Sequence, residues 1–240
     1  PMARLLNVAK KQRLHLIEDV AQAFGARAAL SNGSSKCAGT IGDLGCFSFF
    51  PTKTLGGMGD GGLVATNRRE SAEKIRLLRH HGESSQYRHE AIGLNSRLDE
   101  VQAAVLSVKL RYLDQWIEGR IERAHLYQKL FEETGLIGRE IIGLPLSRGG
   151  RNHIFNYYVI RVARRDALRE RLSQQGIQSA IYYPVPLHLQ SCFASLGYHT
   201  GDFPASELVA TQAVALPIYP ELLPEQQQYV VEAIRKFYRR

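Results

Sequence analysis

The stretch GDLGCFSFFPTKTLGGMGDGGLVATN, residues 42–67, decides how the whole chain is read. Its first half, Gly45-Cys46-Phe47-Ser48-Phe49-Phe50, is a short apolar and aromatic run closed by Pro51, which reads as a strand. Its end, Leu63-Val64-Ala65-Thr66, reads as a second strand leaving a glycine-rich turn. Between them stand Lys53 and the run Gly56-Gly57-Met58-Gly59-Asp60-Gly61-Gly62, with a literal GxGxxG at 57, 59 and 62. A dinucleotide fingerprint follows a strand, opens a helix and precedes an acidic residue about 20 positions on. Here the run follows Pro51-Thr52-Lys53 and feeds a strand, so that reading fails on context. A loop of positive-φ glycines whose backbone closely approaches a ligand is expected instead.

On the N-terminal side, residues 3–13 carry Leu5, Leu6, Val8 and Ala9 at helical spacing, and Leu14-His15-Leu16-Ile17 reads as a buried strand ending at Glu18-Asp19. A helix feeding a parallel-type strand calls for neighbouring strands that residues 1–13 do not supply, so the chain is expected to be the later part of a longer one. On the C-terminal side, 69–80 is an amphipathic helix (Ala72, Ile75, Leu78), and 97–133 is a long helical region with its candidate break at Gly119. Glycine, proline and polar residues gather at 134–153. Beyond them a strand (155–162), a helix (165–175), a strand (176–182), a Pro-rich loop and a terminal helix make an α+β module. The expected architecture is α/β: a partial large domain over 1–128 with a mostly parallel sheet, and a small C-terminal domain over 129–240.

Composition bounds the function. The chain has 240 residues, 44% hydrophobic and 22% charged, which excludes collagen-like, mucin-like and disordered classes. No apolar run approaches the ~18 residues of a membrane helix, and the first residues lack a signal-peptide core. Cys37, Cys46 and Cys192 have no CxxC spacing; they read as reduced thiols of a cytoplasmic protein, with neither a disulfide framework nor a metal site. The net charge of +8 is dispersed, without aromatics interleaved in its arginine runs, so no nucleic-acid interface is expected. Solvated helix faces and a polyanionic small substrate both remain compatible with it.

Three side chains converge on the glycine loop. Asp19 ends a strand, and strand carboxyl ends are where open α/β sheets bind ligands, although a plain helix cap accounts for it as well. Lys53 lies between strand and glycines; a lysine desolvated in a closed loop sheds its proton, as a Schiff-base lysine must. Ser48 precedes it on the strand. Acid, hydroxyl and amine around such a loop suit pyridoxal phosphate.

Together with LIEDVAQAFGA, HGESSQYRHEAIGLNSRLDEVQAAVLSVKL and YYPVPLHLQ, the 42–67 stretch resembles the DegT/DnrJ/EryC1/StrS family over essentially the whole chain. These are fold-type-I, aspartate aminotransferase-like enzymes that use pyridoxal 5′-phosphate to aminate nucleotide-linked keto-sugars. The resemblance implies that Lys53 forms the Schiff base, Asp19 pairs with the pyridine nitrogen, Gln22 faces the 3-hydroxyl and Ser48 donates to the phosphate. It sends Asn95, toward the cofactor, and Arg97, toward the substrate, into the site of a homodimer partner. Tyr182, Tyr183 and His188 are implied to line the sugar-nucleotide side. L-glutamate is the implied donor and an amino sugar for glycan or antibiotic assembly the product, with similarity greatest to members that aminate UDP-linked 2-acetamido-3-keto sugars. Relatives with histidine at the Schiff-base position are dehydratases, and Lys53 argues against that chemistry. A silent or truncated member that binds nucleotide-sugar or a partner without turnover is the alternative. Full-length relatives begin well before residue 1, so a C-terminal fragment of the family enzyme is expected.

Overall fold

Helix α1 (Met2–Lys11) forms where apolar positions recur at helical spacing, and it ends on Lys10 and Lys11, cations suited to the negative end of a helix. The structure, a computed structural model, describes residues 2–31, 33–137, 141–147 and 150–239. After α1 come β1 (Ile17–Asp19), β2 (Arg27–Ala29), β3 (Ser35–Cys37), β4 (Leu44–Ser48) and β5 (Gly62–Ala65). Among the described residues β4 is the centre of a three-stranded sheet, parallel to β1 and antiparallel to β5, while β2 and β3 pair with each other. A mostly parallel sheet is expected from sequence. The described part is mixed, because the 49–61 loop returns the chain beside β4 without a crossover helix.

Two local expectations shift. The run at 14–17 is not a buried strand: Leu14 and Ile17 are 61% and 59% exposed, and the strand starts only at Ile17. Inside β1 it is the charged Glu18 that is buried. Helix α2 (Arg69–Arg79), the hairpin β6 (Glu83–Ser85) with β7 (Arg88–His89), and helices α3 (Glu100–Leu110) and α4 (Leu113–Thr134) follow. The helical region therefore breaks at Arg111-Tyr112 rather than at Gly119. Gly119 lies within α4, where a Cβ would stand 3.1 Å from the Pro220 ring, so it serves close approach and not helix breaking.

The remaining elements are β8 (Ile142–Gly143), β9 (Tyr158–Val162), α5 (Arg165–Gln174), α6 (Pro204–Gln212), β10 (Ala213–Leu216) and α7 (Pro224–Tyr238). Strand β9 runs antiparallel to both β8 and β10. The strand expected at 176–182 is reduced to one antiparallel bridge, Ala180 to Ala215. Strand β10 takes the place beside β9; its fully buried Ala-Val-Ala-Leu has no alternation to announce it.

The chain divides into two units, Pro1–Ile117 with Arg148–Asn156, and Glu118–Ser147 with Tyr157–Arg240. The division lies early in α4, ahead of the boundary at 128 expected from sequence. Among the described residues no helix is long and apolar enough to cross a membrane.

Candidate functional site

The parallel register pairs Asp19 with Cys46, and Ser48 lies two residues further along β4. Side chains alternate along strands, so Asp19 and Ser48 share one face at the carboxyl end of the sheet. Asp19 is exposed, and its Oδ1 accepts the Ala21 N–H at 3.0 Å. Oδ2 has no partner among the described residues. Ser48 Oγ accepts the Phe50 N–H at 3.3 Å, which leaves the hydroxyl proton free to donate. Gln22 is exposed in the turn after β1.

On the opposite face, Glu18 does different work. Its buried carboxylate accepts the N–H groups of Gly39 (2.8 Å), Ile41 (2.7 Å) and Gly42 (2.7 Å), holding that loop against β1. Charge-assisted bonds of this kind are roughly twice as strong as neutral ones. Glu18 was not singled out from the sequence. The signal available is that adjacent acids in a strand must face opposite ways, so one of any such pair needs a different partner.

Lys53 rides on the loop between β4 and β5. The neck of that loop is closed by Phe49, which donates to Gly61 O (2.8 Å) and accepts from Gly57 N (2.8 Å). Lys53 N bonds Phe50 O at 2.9 Å, and buried Thr54 donates through Oγ1 to Asn156 Oδ1 at 3.1 Å. The Lys53 side chain is half-buried and has no acid partner among the described residues. The positive-φ expectation for the glycines fails: none of Gly56, Gly57, Gly59, Gly61 or Gly62 is left-handed. They are glycine for space. A Cβ on Gly56 would come within 2.3 Å of Pro51 O, and one on Gly57 within 2.8 Å of Gln102 Oε1.

Asn95 and Arg97 lie together before α3, both exposed, with Arg97 Nε donating to Asn95 Oδ1 at 3.2 Å. They border a groove of about 940 Å³ that Val64, Arg76 and Arg79 also line; Asp19, Ser48 and Lys53 are not among its lining residues. The structure thus puts Asp19 and Ser48 at one strand end with Lys53 on the loop that follows, and Asn95 and Arg97 on a groove that Cys46, Gly61 and Gly62 also line.

Tyr182, Tyr183 and His188 belong to the other unit. Tyr182 stacks on Tyr157 with ring centroids 4.1 Å apart, and burial, then Tyr157, pushes its hydroxyl pKa up. Tyr183 is exposed. The His188 side chain is buried, its Nε2 3.0 Å from Glu207 Oε1. Glu207, also unforeseen from sequence, accepts the Gly201 N–H on both oxygens (2.9 and 3.0 Å) and the Phe203 N–H at 3.3 Å. The Gly201 N–H above all, with His188 and Phe203, holds this carboxyl below the usual glutamate range. Cys37 and Cys192 are exposed and Cys46 half-buried, all three as free thiols.

Comparison with known proteins bears on this arrangement. The model of the DegT/DnrJ/EryC1/StrS aminotransferase family matches residues 1–235. A pleiotropic regulatory protein of Geobacillus stearothermophilus is 50% identical over 99% of this chain and 62% of its own. A dTDP-3-amino-3,4,6-trideoxy-alpha-D-glucose transaminase of Streptomyces venezuelae is 40% identical over 98% of this chain and 60% of its own. The crystal structure of S. venezuelae DesV superposes with a TM-score of 0.89 at 40% identity, covering 100% of this chain and 62% of that one. The chain spans about three-fifths of the length of the curated relatives it matches.

Proposed function

The chain belongs to the DegT/DnrJ/EryC1/StrS aminotransferase family, and from that premise we propose that the whole protein is a pyridoxal-phosphate-dependent enzyme that moves an amino group from an amino acid, L-glutamate, onto a nucleotide-linked keto-sugar in the cytoplasm. The observation that carries this reading is Lys53: a half-buried amine with no acid partner among the described residues, on a loop closed at its neck, beside a strand end that presents a carboxylate and a hydroxyl.

The residues fit the cofactor. Asp19 keeps Oδ2 unengaged, the acceptor that a protonated ring nitrogen needs, and Ser48 keeps a proton to give to a phosphate oxygen. Bound there, pyridoxal phosphate supplies an electron sink and a carrier for the amino group. Lys53 attaches it covalently and, once displaced, moves the proton at the amino-bearing carbon. Asp19 maintains the ring nitrogen in its cationic form by charge. Gln22, in the turn beside Asp19, offers its amide to the ring hydroxyl. Asn95 and Arg97 act across a homodimer interface: Asn95 toward the neighbour's cofactor, and Arg97, a planar bidentate donor, toward an anionic group of its substrate. Tyr182, Tyr183 and His188 bound the sugar-nucleotide side.

The test is borohydride trapping in the whole protein, followed by turnover with glutamate against UDP-, dTDP- and GDP-linked keto-sugars. Cofactor trapped on the peptide carrying Lys53, with amination of one sugar series, is expected. No trapped cofactor overturns the reading. Trapping without turnover of any sugar favours the second reading, a binding protein without catalysis, which the regulatory name of the Geobacillus relative supports.

A further inference from the structure

Leu55 is buried just ahead of the glycine run, but the run itself has no buried side chain to pack with. Its glycines carry no side chain, and Met58 is 76% exposed. What holds it is the face of α3 that carries Gln102, Leu106 and Lys109, positions spaced to fall on one side of a helix. Leu106 is that helix's one fully buried side chain among the described residues. Gln102 Oε1 accepts the Met58 N–H at 2.8 Å, and Lys109 Nζ donates to the Gly56 carbonyl. The Gln102 amide lies close against the backbone, since a Cβ added at Gly59 would stand 2.9 Å from its Nε2. Lys109 is steadied by the Trp116 ring, 6.0 Å from its centroid. The loop's own backbone bonds join Phe49 to Gly57 and Gly61, and Lys53 to Phe50; the Gly56 carbonyl and the Met58 N–H take these two side chains as partners.

We propose that Gln102 and Lys109 are positioning residues for Lys53: gripping the loop backbone at two adjacent points, they set where the Lys53 amine stands and keep its segment from opening. This rests on the reading of Lys53 as the residue that attaches the cofactor. Leu55 and Thr54 anchor the start of the segment, so loss of one grip is felt along the run from Gly56 onward, where no side chain is buried.

The test uses the whole protein and four variants. Gln102→Leu keeps size but leaves the Met58 N–H without an acceptor, while Gln102→Glu keeps an acceptor oxygen. Lys109→Met and Lys109→Arg form the matching pair. Hydrogen exchange of the peptide spanning 54–61, measured without cofactor, is expected to quicken about tenfold in Gln102→Leu and Lys109→Met, the scale of one net hydrogen bond. Covalent attachment of pyridoxal phosphate, followed by absorbance and borohydride trapping, is expected to slow by a similar factor. The kcat should fall while the KM for the sugar stays put, and Gln102→Glu and Lys109→Arg should restore most of both. If exchange stays at the parent rate, or if it quickens while attachment and kcat are unchanged, the proposal is overturned. If Gln102→Leu does not fold, the Lys109 pair decides alone. A parent protein that traps no cofactor on Lys53 instead overturns the reading of Lys53, and the exchange result still reports whether the grip exists.

Discussion

In the unit built from 118–147 and 157–240, side-chain packing carries the structure: Tyr127, Phe131, Tyr158, Ile160, Leu168, Leu172 and Ile234 are all fully buried. The unit that bears Lys53 has buried side chains too, Val20, Leu55, Ile117 and Phe155 among them, but its helices and loops are more open. Among the described residues α2 has no fully buried side chain and α3 has one, while Leu63, Val64, Ile92, Leu94 and Val101 are 43–100% exposed. There the segments that carry the candidate chemistry are fixed largely by side chains bonding backbone: Glu18 to the 39–42 loop, and Gln102 and Lys109 to the glycine run. The difference teaches that reactive side chains can stay open to a ligand when their backbone, rather than their own surface, is what the protein holds. Hydrogen bonds fix a loop's position without covering its side chains.

Four outcomes would break or sharpen that contrast. The largest belongs to Lys53→Ala in the whole protein. Activity should fall to background while the unfolding free energy from urea denaturation changes by less than about 0.5 kcal/mol, as for a side chain with no packing role. A large stability loss would show that Lys53 is structural and would erase the distinction. Next is Phe131→Ala, expected to cost about 3–5 kcal/mol in chemical denaturation because it empties a packed core. A cost under 1 kcal/mol would mean that the second unit is as loosely packed as the first. Third is Glu18→Gln, which leaves one acceptor for backbone N–H groups that now share a carboxylate. About 1–3 kcal/mol of destabilisation is expected, with faster hydrogen exchange at 39–42, and an unchanged protein would remove the polar-anchor half of the comparison.

The smallest concerns pH. Glu207 is held below its usual range by the Gly201 N–H, His188 and the Phe203 N–H, so the folded state binds this proton less readily than the unfolded chain. Its stabilising contribution is therefore complete above the ordinary glutamate value of 4.5 and is lost as pH falls through the lowered folded value. Thermal melts of Glu207→Ala should lie below the parent at pH 7 and converge with it in acid. A gap that persists unchanged at low pH would mean that Glu207 acts through packing. If the melts do converge, the loop carrying His188 is held by polar bonds to backbone, like the Lys53 loop and unlike the core around it.

Much of the fold was legible because its signals are local. Pro51 closing an apolar run foretold a strand before it, where β4 lies, the period of Ala72, Ile75 and Leu78 marked α2, and the helix expected over 165–175 forms over Arg165–Gln174. Strand β10 was not legible, since a fully buried four-residue run has no period to read. Gly119 looked like a helix break and is a contact with Pro220, which lies far along the chain. The residues at the candidate site divide the same way. Asp19, Ser48 and Lys53 stand out by their places relative to strand ends and glycines, whereas Glu18, Gln102, Lys109 and Glu207 matter through partners distant in sequence or through turns without a pattern.

The sequence by itself determined that this is an α/β chain of the aminotransferase family, with a carboxylate, a hydroxyl and an amine placed at or after strand ends ahead of one glycine-rich loop. Those are matters of residue type and short spacing, which a one-dimensional string records. Only the tertiary structure decided why that loop is glycine. Its backbone is not left-handed anywhere along the run; it needs room for Gln102 and for the Pro51 carbonyl. Tertiary structure likewise decided which of two adjacent acids is buried, because Glu18 meets its N–H partners only when the 39–42 loop folds back over β1. Conformational preference is carried by a residue and its neighbours, but excluded volume and hydrogen-bond partnership are settled by whatever the rest of the chain brings alongside.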